Sequence, residues 1–229
     1  RRLVDNSSKQ YILVVSEDEM SAQEIAVIPS GVASLDEATG IGGYPKGRLI
    51  EISGTGRMAL AFLAAVEVQR ANGIVAFVDT KHVFDIDAAA AAGLDVSKIL
   101  VSQPDNVVQA LEIADVLMRS GAVDLVVIDE IEPGCDDTTV SAVAGELSQV
   151  LRSMAAVAFR VGSTAMFLTE PASPIQLGFR PGTNAVRYYS SLRIDVRGIG
   201  GSMVRAKVVK NKLAAPFQDA EFELPRKAA

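Results

Sequence analysis

The chain has 229 residues, with 22 Lys+Arg against 28 Asp+Glu and a formal net charge of −6. Its 49% hydrophobic and 22% charged residues have the balance of a folded globular protein, which excludes a disordered chain. A lone cysteine, Cys135, and a lone histidine, His82, exclude a disulfide framework and a structural zinc site.

In chain order, Leu49-Ile50-Glu51-Ile52-Ser53 predicts a strand that ends at Gly54. Ala59 to Arg70 follows as a helix, closed by Asn72-Gly73, the residue types a helix C-terminus favours. Ile74 to Asp79 reads as a buried strand, and Phe84 to Ala92 as a helix stopped by Gly93. Ile99 to Ser102 is a short strand. Asn106 to Arg119 is an amphipathic helix, with Val107, Ala110, Leu111, Ala114 and Leu117 on one face. Leu125-Val126-Val127-Ile128-Asp129 is apolar until its carboxyl end.

A loop rich in Asp and Thr leads into a helix from Val140 to Arg160, then a strand from Ala165 to Thr169. Pro171 to Asn184 reads as irregular. Antiparallel strands over Ser191–Val196, Met203–Lys210 and Ala220–Leu224 surround a Gly198–Gly201 turn. Strands alternating with helices predict an α/β fold: a mostly parallel sheet flanked by helices, with a β-rich antiparallel C-terminal edge. No apolar stretch is long enough to span a membrane and no signal peptide opens the chain, so a cytoplasmic protein is expected.

Charge is unevenly spread. Residues 1–179 carry 12 basic and 24 acidic side chains, whereas residues 180–229 carry 10 basic and 4 acidic. A basic end on an acidic body suits a polyanion site or an acidic partner. It equally suits solvated strand faces packed beside acidic neighbours.

Several segments resemble the core of bacterial RecA recombinases. They include Ser34-Leu35-Asp36 with Gly40-Ile41-Gly42-Gly43, Pro45-Lys46-Gly47-Arg48, Gln103-Pro104-Asp105 and Gln109 to Asp115. Arg119 to Asp124, Asn184 to Arg197, Lys207 to Lys212, Ala215-Pro216-Phe217 and Ala220-Glu221-Phe222 continue the likeness in order, over roughly residues 11–224. The resemblance implies a RecA-type ATPase core over 29–229, preceded by a short segment with a strand over 1–28. It also implies that most of the family's N-terminal docking helix and its small C-terminal domain are missing, which makes filament formation doubtful.

The resemblance puts a nucleotide at the first strand–helix turn, where an ATPase needs G-x-x-x-x-G-K-[ST] to wrap phosphates and hold Mg²⁺. Here the place holds Gly54-Thr55-Gly56-Arg57-Met58-Ala59, with one residue between the glycines and no magnesium-binding hydroxyl at Met58. The turn is either a plain connection or a remnant that presents helix amides to an anion. In Asp79-Thr80-Lys81-His82 the family's general-base glutamate is replaced by Lys81, and in Thr169-Glu170 its phosphate-sensing amide is replaced by Glu170. Asp129 matches the family's magnesium-linked aspartate, or else caps the next element. Gly54, Gly56, Arg57 and Asp129 are therefore vestigial phosphate-site positions, and neither cofactor nor metal is expected.

The resemblance places two DNA loops after Glu130 and over Pro171–Thr183. The first carries Pro133, Gly134, Cys135, Asp136 and Asp137, whose carboxylates oppose phosphate binding. The second offers Gln176, Phe179 and Arg180, either a base-stacking and phosphate-touching set or a loop anchored in the core. Lys210 and Lys212 match lysines that reach a neighbouring subunit's ATP in family filaments.

The expectation is a non-catalytic accessory protein of bacterial DNA repair and damage-induced mutagenesis. It is similar to the RecA-like ImuA proteins that accompany a catalytically inactive translesion polymerase relative. Its partner would be a RecA-type recombinase or a translesion polymerase component. Phe179, Arg180, Arg193, Arg197, Arg205, Lys207, Lys210 and Lys212 are the candidate DNA or partner contacts. The alternatives are an ATP-independent single-stranded DNA-binding module and a weak NTPase with a remodelled phosphate loop.

Overall fold

Strictly alternating residues on three central strands enter two separate apolar cores, one on each face of a single sheet. Val75, Phe77, Leu125, Val127, Met166 and Leu168 face one core, and their neighbours Ala76, Val78, Val126, Ile128, Ala165 and Phe167 face the other. Strands buried on both faces need apolar side chains at every position, which is why these segments read as unbroken hydrophobic runs. The structure is a computed structural model that describes residues 2–6, 10–14, 25–131, 140–170 and 181–224.

In chain order the elements begin with an antiparallel hairpin, β1 (Arg2–Asn6) and β2 (Gln10–Val14). A two-residue pair follows, β3 (Val27–Ile28) with β4 (Tyr44–Pro45), enclosing α1 (Ala33–Thr39). Then come β5 (Leu49–Gly54), α2 (Arg57–Arg70), β6 (Val75–Asp79), α3 (Ile86–Ala91), β7 (Ile99–Ser102), α4 (Val107–Arg119), β8 (Leu125–Asp129) and α5 (Val140–Val161). The chain continues with β9 (Thr164–Thr169), α6 (Pro181–Tyr189), β10 (Leu192–Gly200), β11 (Met203–Asn211) and β12 (Asp219–Glu223).

The eight-stranded sheet has the order β12-β11-β10-β5-β9-β8-β6-β7. The six strands from β10 to β7 are parallel, and β11 and β12 extend the sheet antiparallel, as expected of a β-rich edge. One core lies under α1, α2 and α3, with Phe62 and Phe84 edge-on at ring centroids 5.7 Å apart. The other lies under α4, α5 and α6. Among the described residues, no helix is long and apolar enough to cross a membrane.

The differences from the sequence reading are local. Helix α2 begins at Arg57 rather than Ala59, because Gly56 takes a left-handed conformation (φ 79°) and starts the helix immediately. Helix α3 is trimmed to Ile86–Ala91, its start set by Asp85, whose side chain accepts from the Ala88 N–H at 2.9 Å. Pro181 opens α6 within the stretch read as irregular; a proline at the first helical position gives up no hydrogen bond. Strand β10 runs on through Gly200, so the turn lies at Gly201–Ser202 and not over Gly198–Gly201. Strand β10 is also parallel to β5, making it a core strand as well as one arm of the antiparallel edge. Helix α1 and the β3–β4 pair had no counterpart in the sequence reading.

Candidate functional site

The carboxyl ends of four adjacent parallel strands meet at one rim of the sheet. There the register sets Asp79 beside Asp129, Asp129 beside Leu168, and Ser53 beside Thr169. Open parallel sheets bind ligands in the crevice outside these ends.

The first strand–helix turn passes from Gly54 (φ 99°) through Thr55 and Gly56 straight into α2. Gly54 cannot carry a side chain, since a Cβ would lie 2.0 Å from the Val196 carbonyl oxygen on β10. Arg57, the first residue of the helix, folds back over the rim. Its Nη1 donates to the Gly54 carbonyl at 3.4 Å, its Nη2 to Glu170 Oε1 at 3.2 Å, and its Nε lies 3.8 Å from Asp129 Oδ1.

Lys81 is the second cation of the rim. Its ammonium pairs with Glu130 and lies 3.8 Å from Glu170 Oε1. Glu130 is held in a left-handed conformation (φ 58°) just beyond β8, where the Thr80 hydroxyl donates to its carbonyl at 2.9 Å. A residue with a Cβ in that conformation marks a strained position, as it does in many functional sites. Arg57 and Lys81 thus neutralise part of a carboxylate group formed by Asp129, Glu130 and Glu170. The sequence singled out Arg57, Lys81, Asp129 and Glu170 separately, and the structure brings these four together with Glu130.

Asp129 is 5% exposed, and its Oδ1 meets no hydrogen-bond donor. Burial pushes its carboxyl above the ordinary range; Arg57 pulls the other way, and the charges of Glu130 and Asp79 reinforce the rise.

Asp79 has a different environment at the next strand end. It accepts from the Val83 N–H at 3.1 Å, the Phe84 N–H at 2.9 Å and Gln103 Nε2 at 3.0 Å. Burial alone would raise its pKa, but these three donors and the nearby His82 hold it below the ordinary value.

The candidate contact residues fall into distinct settings. Phe179, Arg180 and Gln176 lie outside the described residues, as do Pro133, Gly134, Cys135, Asp136 and Asp137. Arg193 is not a free surface cation: its Nε pairs with Glu51, a carboxylate 1% exposed in the middle of β5. Thr169 Oγ1 donates to the same carboxylate at 2.9 Å, and Arg187 Nε lies 3.6 Å away. The sequence signal for this cluster was a single Glu inside an otherwise apolar strand.

Arg197 pairs with Asp195 at 2.8 Å, and Arg205 with Glu221 at 2.5 Å. Lys207 is exposed, 6.0 Å from the centre of the Phe217 ring, and Lys212 is exposed. Lys210 Nζ donates to the carbonyls of Arg187 at 2.7 Å and Tyr188 at 2.9 Å, closing the last turn of α6. Burial, with Lys212 and Arg193 close by, holds its pKa below the ordinary lysine value. Arg193, Arg197, Arg205 and Lys210 of the basic C-terminal strands therefore have acidic or carbonyl partners within the fold.

Beside the rim, between α2 and α3, lies a chamber of about 480 Å³ that no sequence motif announced. Met58, Ala59, Phe62, Val83, Ala88 and Leu224 form apolar walls, and Arg57 and Asp129 lie at its polar end.

Comparison with known proteins agrees with this architecture. The RecA N-terminal domain family matches residues 4–226. Protein RecA of Bacteroides thetaiotaomicron is 39% identical over 249 residues, covering 97% of this chain and 75% of that protein. Protein RecA of Francisella philomiragia is 42% identical over 233 residues, covering 90% of this chain and 65% of that protein. For Salinispora tropica the figures are 43% over 232 residues, 90% and 67%. The chain thus spans about two thirds to three quarters of the length of these relatives. Because the family matches nearly the whole chain and the sheet order places its strand ends as described, this protein belongs to the RecA family.

Proposed function

We propose that this chain is a non-catalytic RecA-like accessory protein of bacterial DNA repair and damage-induced mutagenesis, acting by binding a RecA-type recombinase or a translesion polymerase component. One observation supports the reading: at the first strand–helix turn the guanidinium of Arg57 folds back over the strand ends onto Glu170 and Asp129. A two-residue turn cannot encircle a phosphate, and phosphoryl transfer depends almost wholly on positioning and charge stabilisation. Lys81, tied to Glu130, cannot take a proton from water while it is ionised. Glu170 and Glu130 repel the ligand that the family's fold would seat.

The test has two parts. Calorimetry with ATP and Mg²⁺ is expected to show no binding heat, and measurable heat would favour the weak NTPase. Pull-down from DNA-damaged cells is expected to enrich the recombinase or a polymerase component, and enrichment of neither would remove the accessory role. The pairing of Arg193, Arg197 and Arg205 with acidic side chains weighs against the DNA-binding alternative. That alternative requires single-strand affinity that falls steeply with salt.

A further inference from the structure

We propose that the chamber between α2 and α3 binds a small organic cation, an ammonium group on an apolar body of roughly ten non-hydrogen atoms. The proposal rests on the reading that nucleotide is not the ligand of this rim, and it names what the remodelled site accepts instead.

Three observations point the same way. The volume, about 480 Å³, falls within the range of small-molecule sites, and the six apolar walls named above supply the burial. At its polar end stands Asp129, 95% buried, with Oδ1 lacking any hydrogen-bond donor and the nearest guanidinium nitrogen 3.8 Å away. Buried polar atoms without partners are rare, and this one lines an open chamber, so a ligand donor can complete it. The formal charges decide which donor. Among the described residues, the ion-pair network of the rim holds three carboxylates, Asp129, Glu130 and Glu170, against two cations, Arg57 and Lys81. A phosphate or carboxylate entering this field is repelled, whereas an ammonium is drawn towards the unfilled carboxylate oxygen. The apolar walls reject a bare, fully hydrated cation, so the charge must arrive on a hydrophobic body.

The test uses the whole chain and three probes of one shape: 4-phenylbutylamine, 4-phenylbutan-1-ol and 4-phenylbutyrate, with ATP·Mg²⁺ as a fourth ligand. Calorimetry is expected to show the amine binding about tenfold more tightly than the alcohol, with no heat from the butyrate or from ATP. Methyl NMR is expected to place the amine against Ala88 and Leu224. Asp129→Asn should bring amine and alcohol to equal affinity, and Ala88→Phe should abolish both by filling the chamber. Should either variant fail to fold, the ligand order and methyl shifts of the natural chain decide the matter. Equal affinity for amine and alcohol, no amine binding, or shifts confined elsewhere would overturn this inference while leaving the non-catalytic reading intact. ATP·Mg²⁺ binding would overturn both.

Discussion

Arg57 Nη2 stands 3.2 Å from Glu170 Oε1, joining the first residue of α2 to the residue just beyond β9. The two ends of this pair are not equivalent. Glu170 is 44% exposed, whereas the other carboxylate near Arg57, Asp129, has a side chain only 7% exposed. Removing a cation from a buried carboxylate costs far more than removing a solvated one. Arg57→Met should therefore lose about 1–3 kcal/mol, and Glu170→Gln less than about 1 kcal/mol. Urea denaturation of the two variants checks the order; equal losses would mean that Arg57 acts only through the exposed pair.

Glu51 and Arg193 form the deepest ion pair among the described residues, with the carboxylate 1% exposed on a central strand. Arg193→Met leaves that carboxylate with Thr169 and the more distant cations Arg187 and Lys210, and should cost about 3–5 kcal/mol. The double variant Glu51→Met, Arg193→Met should recover most of the loss, because an apolar pair of similar volume needs no desolvation of charge. A double-mutant cycle by chemical denaturation measures this, and additive losses would contradict it.

Asp79 is the pH-sensitive support of the rim. Its folded-state pKa is depressed, so the stability it contributes is complete above the ordinary carboxylate value of about 3.9 and is lost as pH falls through the depressed value. Asp79→Asn should cost about 1–3 kcal/mol at pH 7, since two backbone donors and Gln103 lose a charged acceptor. Below about pH 3.9 the gap between the two proteins should narrow. Denaturation curves at pH 7 and in that acid range test both statements.

Lys210 closes the C-terminal turn of α6 from β11. Lys210→Met keeps the apolar stem and removes the donor, and should cost about 1 kcal/mol. Protection of the α6 amides in hydrogen exchange should fall more than that of β5, which Lys210 does not cap. Uniform loss across both elements would show a global role instead.

How much of this was legible beforehand depends on the range of the interaction. Strands β5, β7 and β8 and helices α4 and α5 match their predicted segments to within one residue, because local periodicity and glycine stops fix them. The short turn Gly54-Thr55-Gly56 and the acidic end of β8 at Asp129 were also legible, since each is marked by its own short stretch of sequence. Helix α6 was obscured by its Pro and Gly content, and α1 by its shortness.

The sequence by itself determined an α/β chain of RecA type, the short strand–helix turn, and the presence of Arg57, Lys81 and Glu170 close to the ends of core strands. Only the tertiary structure decided what those charges do. Arg57, Lys81, Asp129, Glu130 and Glu170 come from four separate segments, and parallel register alone sets their strand ends side by side. The same holds for the C-terminal excess of positive charge, which in one dimension looks like an open basic edge. Antiparallel pairing of β11 with β12 puts Arg205 opposite Glu221, and parallel pairing of β10 with β5 puts Arg193 opposite Glu51. Charge composition is additive along a chain, but Coulomb energy depends on separation, and separation is set only when the sheet forms.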